Sequence, residues 1–79
     1  MAVVTVRYWA GARAAAGRDD ESVTAGSAHE LVASLSSRTP ALAPVLELSS
    51  LLVDGLVVHD DVVLADGQVV EVLPPFAGG

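Results

Sequence analysis

Seventy-nine residues, 52% of them apolar, make one small domain: a chain this short buries only roughly 60% of the surface it exposes when unfolded, so a deep enclosed active site would compete with the core for the same residues. A formal net charge of −6, from ten acidic and four basic residues, repels a phosphate backbone and sets nucleic acid aside as a partner, and no run of ~20 apolar residues is present to span a membrane. Without cysteine there is no disulfide, no thiolate nucleophile and no zinc site of the usual spacing.

Val3 to Trp9 is rich in β-branched and aromatic residues and reads as an opening strand. Alternation puts Val4, Val6 and Tyr8 on one face and Val3, Thr5, Arg7 and Trp9 on the other, with Arg7 marking the wetter side. Trp9 is therefore expected to look outward, although a fold over the sheet edge into the core is an equal reading. Ala10 to Ala16 has the alanine content of a short helix, with Gly17 where a left-handed cap belongs. Residues 21–24 read as a short second strand. Ser27-Ala28-His29-Glu30 matches a capping box, in which the hydroxyl and the carboxylate satisfy free amides at a helix start. Ala28, Leu31, Val32 and Leu35 then fall on one stripe, and Thr39-Pro40 ends the helix.

Residues 41–47 read as a connector. Leu51-Leu52-Val53 is expected to be a strand, and Asp54-Gly55 is a two-residue hairpin signal before Leu56-Val57-Val58. Val62-Val63-Leu64 reads as a short extended piece, Asp66-Gly67 as a turn and residues 68–73 as the last strand, with Leu73 on the same face as charged Glu71, halted by Pro74-Pro75. One major helix and several strands give an α+β class with a mixed sheet, and this order of elements is that of the ubiquitin-like β-grasp fold. The domain is expected over residues 1–75 and a flexible C-terminal tail over 76–79. Met1 carries no positively charged leader behind it and Arg7 interrupts the apolar run, so the chain reads as cytoplasmic.

The usual chemistries find no residues here. No glycine-rich phosphate loop carries a lysine, and no Ser-His-Asp grouping stands out. His29 and His59 lack partners at metal-ligand spacing, so no metal is assigned. Asp60-Asp61 reads as a solvated turn, because neighbours on an extended chain point to opposite faces. The C-terminus differs. Behind Pro74-Pro75, Phe76-Ala77-Gly78-Gly79 ends in three small residues, and glycine lets backbone thread a narrow channel and adopt either sign of φ. Such an end can deliver its carboxylate to a buried site, although terminal glycine also occurs in incidental tails. All four basic residues are arginines, Arg7, Arg13, Arg18 and Arg38. With no lysine, the chain has no side-chain amine to accept its own activated terminus, although a bias of composition explains the same fact.

Residues 6–13 with Gly17, Leu51 to Gly55, and above all Asp66 to Gly79 with its Pro-Pro-x-x-Gly-Gly ending closely resemble the MoaD/ThiS family of sulfur carriers, and within it the small, sulfur-carrying subunits of molybdopterin synthase. The resemblance implies a non-catalytic subunit whose chemistry is supplied by its partners. An E1-like adenylyltransferase using ATP and Mg2+ would activate Gly79, a sulfurtransferase would convert it to a thiocarboxylate, and the large synthase subunit would receive the sulfur for molybdopterin in a heterotetramer. No cofactor would be bound to the chain itself. Gly79 would carry the sulfur and Gly78 would permit insertion. Trp9, Val57, Leu73, Pro74, Pro75, Phe76 and Ala77 would form the partner-binding surface and the threading segment, since in this family the first and last strands lie side by side. Ala14 stands where many relatives carry an acidic residue, which weakens any role for Arg13. Sulfur carriage for thiamine thiazole or cysteine synthesis, ubiquitin-like protein modification, and a purely structural interaction domain remain open beside this reading.

Overall fold

The computed structural model describes residues 1–75. Strand β1 (Ala2–Tyr8) keeps the expected parity: Ala2, Val4, Val6 and Tyr8 are buried while Val3 and Arg7 are exposed. Helix α1 (Ala10–Ala16) follows at once, and its first residue, Ala10, sits at φ 47, a left-handed conformation that costs a non-glycine residue on the order of 1 kcal/mol. Gly17 closes the helix at φ 75, donating its N–H to the Arg13 carbonyl, where a Cβ would be penalised.

Strand β2 (Asp20–Ala25) returns antiparallel to β1. Helix α2 (Ala28–Arg38) starts as its sequence dictates, with the Glu30 N–H donating to the Ser27 hydroxyl oxygen at 3.3 Å. The reciprocal half of the capping box differs from expectation. The Glu30 carboxylate reaches one residue further back and accepts from the Gly26 N–H at 3.2 Å. Of the apolar stripe, Ala28, Leu31 and Leu35 are buried and Val32 is half-buried.

Residues 41–47, expected as a connector, are helical. A 3-10 turn (Pro40–Leu42) leads into helix α3 (Ala43–Leu48). Pro40 and Pro44 stand at the starts of these elements, where a missing N–H costs nothing, so Pro40, which follows the end of α2 as expected, also initiates the next turn. The turn and the helix bury Leu42 and Leu46 in the core, and each buried leucine contributes about 2 kcal/mol.

Strands β3 (Ser50–Val53) and β4 (Leu56–Val58) form the expected hairpin. Asp54 at φ 49 and Gly55 at φ 83 give the two positive values that a type I′ turn requires. Residues 62–64 make one isolated bridge, Val63 to Ser27, and no strand. Strand β5 (Val69–Leu73) closes the sheet. Its start is fixed by side chains: the Asp54 carboxylate accepts from the Val69 N–H at 3.0 Å, and the Asp66 carboxylate accepts from the Val3 N–H at 2.7 Å.

The five strands take the order β2-β1-β5-β3-β4, with β1 and β5 parallel at the centre and every other pair antiparallel. Ala12, Leu31, Leu35, Leu42 and Leu46 all enter one core cluster with Val4, Val6, Val70 and Val72, so the three helices lie on the same side of the sheet. This is the ubiquitin-like β-grasp arrangement, and it leaves the other sheet face to solvent. No helix among the described residues is long and apolar enough to cross a membrane.

Candidate functional site

The register of the sheet places residues from all five strands in one row on the outer face. Val57 pairs with Leu52, Leu52 with Glu71, Glu71 with Arg7, and Arg7 with Asp20. The row runs from apolar at β4 to alternating charge at β1 and β2. One step beyond it, where Tyr8 pairs with Val72 and the Trp9 N–H donates to the Val72 carbonyl at 3.2 Å, Trp9 and Leu73 end adjacent parallel strands.

Trp9 lies on this outer face and not in the core. Its indole N–H donates to the Glu71 carboxylate at 2.9 Å, and the Arg7 guanidinium lies 5.2 Å from its ring centroid. Glu71 and Arg7 thus hold the ring in one orientation over the row, which lowers the entropy that a docking partner must remove. Trp9 and Leu73 are each 37% exposed and Val57 is 51% exposed. Pro74 is half-buried and Pro75 exposed at the end of β5. Phe76, Ala77, Gly78 and Gly79, the remaining residues expected to act, lie outside the described residues.

In the sequence, Arg7 and Glu71 mark only the wet face of their strands. Their parity with Trp9 was available, but the clamp needs the β1–β5 pairing, which joins residues 62 positions apart. Leu52, half-buried between Val57 and Glu71, was not singled out either.

Behind the same end of the sheet, Tyr8 is buried and donates its hydroxyl to Glu21 at 2.5 Å. Glu21 also accepts from Arg38 at 3.0 Å, with Arg18 at 3.9 Å. Burial first, and then the Glu21 carboxylate, push the Tyr8 phenol far above its ordinary value near 10, while Arg38 and Arg18 pull the other way. This group ties β1, β2 and the end of α2 together. Arg13 faces Asp19 at 3.8 Å, with both side chains largely exposed, which is a weak surface pair.

Asp61 is not merely a solvated turn residue. Its carboxylate accepts from the His29 N–H at 2.9 Å, inside the first turn of α2, and lies 3.6 Å from the His29 ring. That backbone hydrogen bond, foremost, holds the Asp61 carboxyl below its usual range against an opposing desolvation, with the Ser27 hydroxyl and the His29 ring adding to it. His59 is exposed, and among the described residues no three His, Cys, Asp or Glu side chains gather as a metal site. The outer face therefore presents Val57, Trp9 and Leu73 as exposed apolar side chains beside the Arg7-Glu71 pair, at the end of the sheet where Pro74-Pro75 follows β5.

The protein from Pyrococcus furiosus assigned as molybdopterin converting factor subunit 1 is 27% identical to the chain, with a TM-score of 0.86 over 95% of this chain and 99% of that one. Small archaeal modifier protein 1 from Methanosarcina acetivorans is 25% identical, with a TM-score of 0.88 over 100% and 98%. Subunit 1 in the complex of subunits 1 and 2 of the molybdopterin-converting factor from Helicobacter pylori shares the fold at 24% identity, with a TM-score of 0.77 over 98% and 99%. No curated protein matches the chain. The family model of the ThiS family matches residues 6–79, which takes in all but the first residues of β1 and the whole tail. On that match, and on a fold that agrees with it, the chain belongs to the ThiS family.

Proposed function

We propose that this protein carries sulfur as a thiocarboxylate on Gly79 and delivers it in the synthesis of molybdopterin. The observation that carries the reading is the convergence of Trp9, Leu73 and Val57 on one exposed face that ends where Pro74-Pro75 begins the tail.

The carboxylate at Gly79 is a poor electrophile until it is joined to AMP. An E1-like adenylyltransferase supplies ATP and Mg2+, forms the mixed anhydride and releases pyrophosphate. A persulfide sulfur of a sulfurtransferase then attacks the carbonyl carbon and expels AMP, and a thiol cleaves the resulting acyl disulfide, leaving the thiocarboxylate on Gly79 and a disulfide as the oxidised product. Glycine at both terminal positions leaves that carbonyl unhindered. The chain itself needs no general acid, base or metal, in keeping with the absence of cysteine from its sequence. The reaction belongs to the cytoplasm, where ATP and reduced sulfur donors meet.

The molybdopterin destination rests on the likeness to the Pyrococcus furiosus subunit 1 over nearly the whole length of both chains. A large second subunit is then the acceptor, as subunits 1 and 2 form a complex in Helicobacter pylori, with a heterotetramer as the assembly. The test is reconstitution with cognate adenylyltransferase, ATP and a sulfur source. Full-length chain should gain terminal sulfur and the chain lacking Gly79 should not. Equal loading of both would overturn the reading.

A second reading, protein modification through Gly79, is favoured by the likeness to small archaeal modifier protein 1. The two separate cleanly, because a modifier ends in an isopeptide bond to a lysine of another protein. The 79 residues contain no lysine, so such a bond would not link copies of this chain to one another.

A further inference from the structure

The charges of this chain are divided between two regions. All four arginines sit with four carboxylates at one corner of the fold: Arg13 by Asp19, Arg18 and Arg38 by Glu21, and Arg7 in register with Asp20 and Glu71. That corner is neutral. The other six carboxylates, Glu30, Glu47, Asp54, Asp60, Asp61 and Asp66, have no arginine among them, so the whole formal charge of −6 belongs to the rest of the molecule.

Within that acidic region lies a groove of about 270 Å³, between the first turn of α2, the end of α3 and the end of β4. Val32, Leu46, Leu51 and Val58 line it, with His29 and Asp60 at its mouth. Asp61 stands beside His29, and Leu48 and Leu56 are exposed nearby in α3 and β4. An apolar floor under a carboxylate rim fits a side chain with an aliphatic stem and a cationic head.

We propose that this groove docks a short basic segment of a partner protein, one with aliphatic residues between its lysines or arginines. The aliphatic parts fill the floor and the cationic ends meet Asp60 and Asp61, with Glu47, next in α3 to the lining Leu46, adding to the surrounding negative field. The groove is lined from α2, α3, β3, β4 and the loop after β4, and it meets the outer sheet face only at Val57, which belongs to both. Long-range attraction by the acidic region brings such a segment in, and the neutral arginine corner does not compete.

The experiment is titration of 15N-labelled protein with a synthetic peptide in which lysine alternates with leucine or valine, against the same peptide with glutamate for lysine. The expected result is saturable shifts at the amides of His29, Val57, His59 and Asp60, weakened by salt at about 0.5 M, where screening is nearly complete. The double variant Asp60→Asn, Glu47→Gln should bind roughly fivefold more weakly, since exposed ion pairs contribute modestly. Trp9→Glu should bind as the parent does. Both substituted carboxylates are exposed, and the spectrum itself reports that the variant is folded. Shifts centred on Trp9 and Leu73, shifts spread without saturation over all acidic residues, equal binding of the glutamate peptide, or no shift at millimolar peptide would each overturn the proposal.

Discussion

Tyr8→Phe tests how the strands and the long helix are joined, and the composition makes the test unusually clean. The sequence has one tyrosine, no cysteine and no lysine, so between about pH 9 and pH 12 the Tyr8 phenol is the only side chain expected to titrate. Burial and the Glu21 carboxylate raise its folded pKa above the ordinary value near 10. In the unfolded chain the proton leaves near pH 10, while in the folded chain it stays. The stability that this group contributes is therefore complete below pH 10 and is lost as the pH rises above it, with a slope of at most about 1.4 kcal/mol per pH unit for one proton. The substitution also removes a hydrogen bond to a carboxylate at 2.5 Å, at a cost of about 1.5 kcal/mol at neutral pH. Urea denaturation followed by circular dichroism from pH 7 to pH 11.5 reads both effects. The parent should lose stability steadily above pH 10 while Tyr8→Phe, weaker at pH 7, should stay nearly level. Parallel loss in the two proteins above pH 10, or tyrosinate absorbance appearing near pH 10 in the folded parent, would refute the reasoning.

Leu42→Ala should cost about 3 kcal/mol in a urea melt, because the side chain is fully buried and its removal leaves a cavity. Leu48→Ala, six residues on and 72% exposed, should change stability by less than about 0.5 kcal/mol. Asp61→Ala should destabilise α2 by removing an acceptor at its first turn. Because the folded pKa of Asp61 lies below its unfolded value, that stabilisation is present above the ordinary carboxylate range and fades as the pH falls through the folded pKa. The difference between parent and variant melts should accordingly shrink in acid. Val57→Glu, on the outer face and half-exposed, should leave the melt unchanged and weaken binding to the large synthase subunit by roughly 30-fold, the size of a central contact residue. Calorimetric titration of the partner checks this.

Local chemistry carried most of the fold. The alternation in β1, the Gly17 cap, the Ser27 cap and the Asp54-Gly55 hairpin each depend on a few adjacent residues, and each stands as the sequence predicts. The segment from Pro40 to Leu48 was misread because proline ends one helix and begins another by the same loss of an N–H, and only the burial of Leu42 and Leu46 distinguishes the two. Asp61 is exposed as the sequence predicts, but its part at the start of α2 is not legible there. Its acceptor role joins positions 32 apart, through a loop docked on the start of α2.

The candidate site was legible in part. Parity put Trp9 with Arg7, and Leu73 with Glu71, on one face, and the resemblance supplied the neighbouring strands. Only the assembled sheet places the indole N–H on Glu71 and the guanidinium over the ring. The tail was read from two glycines and two prolines, and the matched family extends through it to residue 79.

The central claim concerns one atom at the end of the chain, and the mass of the C-terminal peptide from protein isolated out of growing cells reads it directly. Sulfur in place of one terminal oxygen on Gly79, lost when the cellular sulfurtransferase is removed, is the predicted result. A terminus that always carries two oxygens, or one found bonded to lysines of other proteins, would contradict it.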